Sequence, residues 1–155
     1  TSPGNVAFTE TLGCYDQVIP YAGLGGAAVE GPVVYVDFAG NAGVRAAVHH
    51  RFGEDLVYDC VVGSTHWDAD PASFADLPGA KPAFFFAPDQ ITKRRQDWGP
   101  GGLEKRFGQA WPLFVEHAAS WMHVERRTGP DAVTKTYIEV LDATASPDQG
   151  FICTP

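Results

Sequence analysis

The side chains best suited to chemistry fall in three short segments, Thr1–Asn5, Phe38–Asn41 and Val62–His66. His66 sits in the run Val-Gly-Ser-Thr-His-Trp. A histidine titrates near neutrality, so it can hand a proton to a substrate; the competing reading is a loop histidine packed on Trp67. Ser64 and Thr65 can hydrogen-bond a ligand carbonyl or serve as ordinary turn residues. Asp37 ends a strongly apolar run, a costly place for a carboxylate without partners. It either binds a ligand hydroxyl or accepts hydrogen bonds from nearby loop amides.

Metal chemistry is not expected. Cys60 and His66 are six apart with no third ligand at suitable spacing, and the adjacent His49 and His50 diverge by roughly 100° on a helix. His117 and His123 diverge as well. The three cysteines, Cys14, Cys60 and Cys153, lack Cys-x-x-Cys spacing and are odd in number. They read as reduced thiols, which points to a cytoplasmic setting.

The elements that must position these residues follow from periodicity. The opening residues carry helix signals: Ser2 as a cap, Pro3 at the first helical position and Gly13 at the exit. The run 17–21 predicts a short strand, although Pro20 disfavours a central place. Residues 32–38 and 56–63 predict strands buried on both faces, and 83–87 a further short one. Between them, 42–52 predicts a helix with Asn41 as its cap, Gly53 at its end, and Val44, Ala47, Val48 and Phe52 on one stripe. Lys93, Arg94 and Arg95 read as a solvated basic turn. A long helix is expected from Gly101 to Arg127, kinked at Pro112, with Phe107, Trp111, Phe114 and Trp121 along an apolar face. A last helix is expected over 131–143. The whole predicts an α/β fold with a parallel sheet over 1–100 and a helical appendage over 101–155. In such sheets ligands lie off the carboxyl ends of the strands, which singles out the three segments above.

Composition narrows the function classes. Nineteen acidic against 11 basic side chains give a formal charge of −8, which opposes non-specific attraction to nucleic acid. No run approaches the roughly 20 apolar residues of a membrane helix, and no retained signal peptide is expected at the N-terminus.

The segments SPGNVAF, LGCYDQV, VYVDFAGN, VGSTHW and FFFAPDQITKR together resemble an uncharacterised family, a domain of unknown function related to zinc-free medium-chain dehydrogenases/reductases. The resemblance runs from Thr1 to at least Tyr137. It implies a Rossmann-type fold, an NAD(P) cofactor with NADP preferred, and hydride transfer to a carbonyl or an activated alkene. Carried onto this sequence, Ser2 and Asn5 would face the adenosine ribose or its 2′-phosphate, with Tyr21 near the adenine. Ala39, Gly40 and Asn41 would lie beside the nicotinamide ribose, and Gly63, Ser64 and Thr65 close to the nicotinamide. By its own chemistry, and not by the resemblance, His66 is the candidate proton donor after hydride transfer. Gly4 stands where related reductases often place a basic side chain, which weighs against the extra phosphate.

The glycine-rich G-x-G-x-x-G turn that lets backbone approach a pyrophosphate is missing after any strand. In the strand order 3-2-1-4-5-6 the missing first and second strands would fall between 17–21 and 32–38 and split the sheet. The sequence is therefore expected to be a fragment, inactive alone, or a chain completed by a second polypeptide. Such a completed protein would take a small-molecule substrate and could self-associate. The rival expectations are a non-catalytic binding or assembly module, and a domain for another nucleotide ligand such as a methyl-donor cofactor.

Overall fold

A computed structural model describes residues 1–64 and 76–155. Its larger sheet is built from the apolar runs, in which β-branched and aromatic side chains favour extended backbone. Strands β1 (Val33–Asp37), β2 (Leu56–Val61) and β3 (Pro82–Phe84) lie side by side in that order, all parallel. Val34 faces Tyr58 and Asp37 faces Val61. The register shifts by one residue between Val33 and Val34, leaving Val57 as the extra residue of a bulge.

Parallel strands need a crossover, and α2 (Ala42–Phe52) supplies it between β1 and β2. Asn41 caps it as expected, its side-chain oxygen accepting from the Val44 amide at 2.9 Å. Gly53 ends it at φ +51, where a side chain would be strained. His49, His50 and Arg51 occupy the last turn, where cations complement the helix dipole.

Several expected elements are different in the structure. The opening helix is shorter: a 3-10 turn Pro3–Asn5 leads into α1 (Val6–Thr11), and Ser2 makes no side-chain cap bond. Residues 17–21 do not form a strand, and Tyr21–Gly26 is a 3-10 turn. What survives of extended pairing is one rung. The Thr1 nitrogen donates to the Ile19 carbonyl at 2.9 Å, and the Tyr21 amide donates to the Thr1 carbonyl at 2.9 Å. This is parallel-ladder geometry, with Pro20 opposite Thr1 and its own backbone groups turned to the outer side. A proline there removes a donor only from the outer edge.

The basic triplet Lys93–Arg95 lies within a helix, α3 (Ala87–Trp98), and not in a turn. There Asp97 takes Lys93 at 2.8 Å and Arg94 at 3.0 Å one turn away, exposed pairs that add a little to the helix. The long helix α4 (Gly102–Ala119) contains Pro112 but stops well short of Arg127. After it, β4 (His123–Thr128) pairs in parallel with β5 (Gln149–Thr154) through all six positions, and α5 (Pro130–Leu141) makes the crossover. The expected helical appendage is thus a β-α-β unit following a helical hairpin. Apolar spacing carried the helix reading too far; the alternation in His-Val-Glu-Arg-Arg-Thr is the strand signal. The opening segment meets the turn between α4 and β4 edge-to-face, Phe8 on Trp121 with ring centroids 5.6 Å apart.

The apolar core among the described residues is thin: Ala27, Val48, Leu56, Cys60 and Ala118. Val34 and Val36 of the larger sheet and Phe38 just after β1 are exposed, as are Phe107, Trp111 and Phe114 of α4. The accessible surface, 10864 Å², is well above the roughly 7,600 Å² that a compact monomer of 16.7 kDa presents. No helix is long and apolar enough to cross a membrane among the described residues.

Candidate functional site

Loops that leave parallel strands end at the same edge of the sheet, so β1 and β2 bring two turns together. Gly40 (φ +74) turns the chain after β1, and a Cβ on it would come within 2.7 Å of the Ser64 hydroxyl oxygen. A Cβ on Gly63 would meet the Phe38 carbonyl oxygen at 2.9 Å. The two glycines therefore permit the Ala39–Asn41 and Gly63–Ser64 turns to touch. Beside them a cleft of about 230 Å³ opens, lined by Tyr21, Tyr35, Val36, Asp37, Phe38, Ala39, Asn41 and Val44.

Beneath the cleft lies a closed set of charges. Asp37 is 4% exposed, and one carboxyl oxygen accepts from the amides of Ala39 at 3.0 Å and Gly40 at 2.9 Å. The other takes the Arg45 guanidinium at 2.6 Å. Arg45 also reaches Asp59 at 2.8 Å, and Asp59 in turn meets His49 Nε2 at 2.9 Å. His49 Nδ1 faces the Pro78 carbonyl at 2.7 Å. Both imidazole nitrogens thus lie within hydrogen-bond distance of an oxygen.

Burial alone would raise the Asp37 carboxyl. The amides of Gly40 and Ala39 and the Arg45 guanidinium outweigh it and hold the group below its ordinary 3.8. Burial first, and then the Asp37 charge, push the Tyr35 hydroxyl far up, so it stays a neutral phenol. The arginine–carboxylate–histidine set is closed to solvent, so its work is to hold the turn rather than to meet a substrate. Of the two readings of Asp37, the geometry supports the acceptor of loop amides.

The structure gathers Tyr21, Ala39, Gly40, Asn41, Gly63 and Ser64 around one strand-end region. Ser2 and Asn5 do not line the cleft. Thr1, beside them, lines a larger hollow of about 480 Å³ shared with Tyr21 and bounded by Thr9, Leu12, Tyr15 and Ile19. That hollow offers no charged side chain and no touching glycine turns, so size does not make it the better centre. Thr65 and His66 lie outside the described residues. Among those described, no group of three or more His, Cys, Asp or Glu side chains is placed to hold a metal.

Sequence reading missed Arg45, Asp59, His49 and Tyr35. A signal did exist. Asp37 and Asp59 both interrupt apolar strands, and the intervening helix carries one arginine and one histidine a turn apart, at 45 and 49, on its sheet-facing side.

Comparison with curated proteins and with solved structures returns no match. The family described as "Protein of unknown function (DUF2855)" matches residues 1–146. With nearly the whole length matched, the chain belongs to the DUF2855 family of proteins of unknown function.

Proposed function

We propose that the chain is a segment of an NAD(P)-dependent oxidoreductase of the zinc-free medium-chain reductase type, with a Rossmann-type sheet, inactive by itself. The observation that carries the reading is the contact of two glycine turns, Gly40 on Ser64 and Gly63 on Phe38, at the carboxyl edge of a parallel sheet. Ligands in open α/β sheets bind at such edges.

The residues present fit the nicotinamide half of the cofactor: bare turns at Ala39–Asn41 and Gly63–Ser64 allow backbone to approach a flat ring. Tyr21, shared by the cleft and the larger hollow, would take the adenine; Ser2 and Asn5, which the reading assigns to its ribose, line neither. The cofactor, when bound, supplies hydride for a carbonyl or activated alkene. The protein's part is orientation, and His66 would release a proton to the substrate atom left negative. Among the described residues no glycine-rich turn leads from a strand into a helix in the way a pyrophosphate needs, so that half would come from residues outside this sequence, in a longer chain or in a second polypeptide.

The test is fluorescence titration of NADPH and NADH against the natively purified protein with whatever polypeptides accompany it. Saturable binding, weakened by Gly40→Val, is expected. Absence of saturable binding for both cofactors would sink the proposal.

A second reading is a non-catalytic assembly module. It is favoured by the exposed aromatic row on α4, where Phe107 and Trp111 stack at 5.4 Å and Trp111 and Phe114 lie 5.6 Å apart. Exposed apolar patches of this kind mark interaction surfaces.

A further inference from the structure

Over residues 87–109 five basic side chains stand against three acidic ones, in a chain whose remainder carries 16 acidic against six basic. The five are Lys93, Arg94 and Arg95 of α3 and Lys105 and Arg106 of α4. Three of them are matched: Asp97 takes Lys93 and Arg94, and Glu104 takes Arg95 at 3.0 Å. Lys105 and Arg106 face no carboxylate partner among the described residues. Both line a hollow of about 470 Å³ where the end of α3 meets α4, together with Asp97, Trp98, Gly102 and Gln109. Gly102, Lys105, Arg106 and Gln109 share one face of α4 at three- and four-residue spacing, and the aromatic row at 107, 111 and 114 lies on another. The hollow depends on a bare position, since a Cβ on Gly102 would come within 2.7 Å of the Trp98 Cβ.

Trp98 is not free to stack a nucleobase. The Arg106 guanidinium already lies 4.5 Å from its ring centroid, and that of Arg94 lies 5.4 Å away, so the indole holds cations in place. A guanidinium lying on a ring keeps its N–H edge for an acceptor. A planar fork beside a point charge suits a ligand with oxygens in several directions and close to two negative charges. A carboxylate has one charge in one plane, whereas a phosphate monoester carries about −1.5 to −2 at pH 7 on three oxygens. Asp97 does not oppose such a group, because its own two cations neutralise it. Nor does the chain's overall charge of −8, since exposed charges more than roughly 8 Å away are largely screened at physiological salt. The volume falls in the roughly 300–1,000 Å³ of small-molecule sites. We propose that this hollow binds the phosphate group of a small phosphorylated molecule, held by Arg106 and Lys105 with the Gln109 amide beside them.

The hollow shares no lining residue with the strand-end cleft, so its fate is separate from that of the cofactor reading. The probes are glycerol 3-phosphate and inorganic phosphate, titrated at low salt by calorimetry and by amide NMR. Saturable binding of the ester is expected, with shifts at the Trp98 indole N–H and the Gly102 amide. The double variant Lys105→Ala, Arg106→Ala should weaken it about tenfold or more. Arg95→Ala removes a cation already taken by Glu104 outside the hollow and should bind as the parent does. All three side chains are exposed, so the variants should melt with the parent. No saturable binding, or equal binding by the double variant, would reduce the patch to a solvated face and overturn the proposal. Equal weakening by Arg95→Ala would do the same, by showing a diffuse charge effect. Binding of inorganic phosphate with the ester excluded would make this a free-ion site and overturn the assignment to a small molecule.

Discussion

Asp37 keeps its negative charge in a site closed to water because three amide or guanidinium donors reach it. Its folded pKa is depressed, so its contribution to stability is complete above the ordinary value near 3.8 and disappears as pH falls through the lower folded value. NMR titration of the Asp37 carboxyl carbon should show its inflection below 3.8, and an inflection at or above that value would contradict the geometry. Removing the cation is harsher. Arg45→Met leaves Asp37 and Asp59 buried without it and should lower stability by about 3–5 kcal/mol in urea denaturation. At Gly40 two costs coincide: positive φ and contact with Ser64. Gly40→Ala should therefore lower stability by about 1–3 kcal/mol, and a loss under a few tenths would show that the turns do not touch. The cleft's turns were legible in the sequence, since glycine and asparagine after an apolar run announce a strand end. Its support was not, because Arg45 sits among alanines and valines, where spacing says only "helix".

Local chemistry is sufficient for α2 and insufficient elsewhere. Its cap, its length and its glycine stop all agree with the sequence, and removing the cap should have a local cost. Asn41→Ala should lower stability by about 1 kcal/mol, whereas Asn41→Asp should stay within a few tenths, both read from thermal denaturation. An equal loss in the two variants would mean that the side-chain bond to Val44 carries no energy. The strands of the larger sheet were legible because β-branched runs bounded by glycine admit little else. By contrast, β4 was read as the end of α4. Its alternation is short and charged, and its pairing partner lies beyond α5, out of reach of any local window. The 17–21 run failed for the opposite reason. Its residues suit a strand, but a strand needs neighbours, and a single rung from Thr1 does not make one.

Across the whole molecule, parallel sheets usually have both faces covered. Here Val34 and Val36 are exposed on one sheet, and the two-stranded β4–β5 sheet carries exposed Val124 and Ile152. The stacked row on α4 is the most compact of these surfaces. Replacing Phe107, Trp111 and Phe114 together by serine should change monomer stability little, since each side chain is at least half exposed. It should, however, reduce self-association in sedimentation velocity. If the sedimentation profile of the variant is unchanged at every concentration, that row is not the contact surface. The sequence showed this stripe but could not say which way it pointed, because amphipathic spacing is the same for a face on a core and a face on a partner.

The charge set beneath the cleft also constrains descent. Asp37, Arg45, Asp59 and His49 answer one another in a chain of contacts, so any one of them changed alone strands a neighbour in a dry interior. A lineage can leave this arrangement only by changing several positions close together in time, or by exchanging the set for apolar residues that fill the same space. Family sequences should accordingly carry 37, 45 and 59 as a block, kept or lost together. Free variation at 45 over a fixed pair of aspartates would show that the chain of contacts is not a unit.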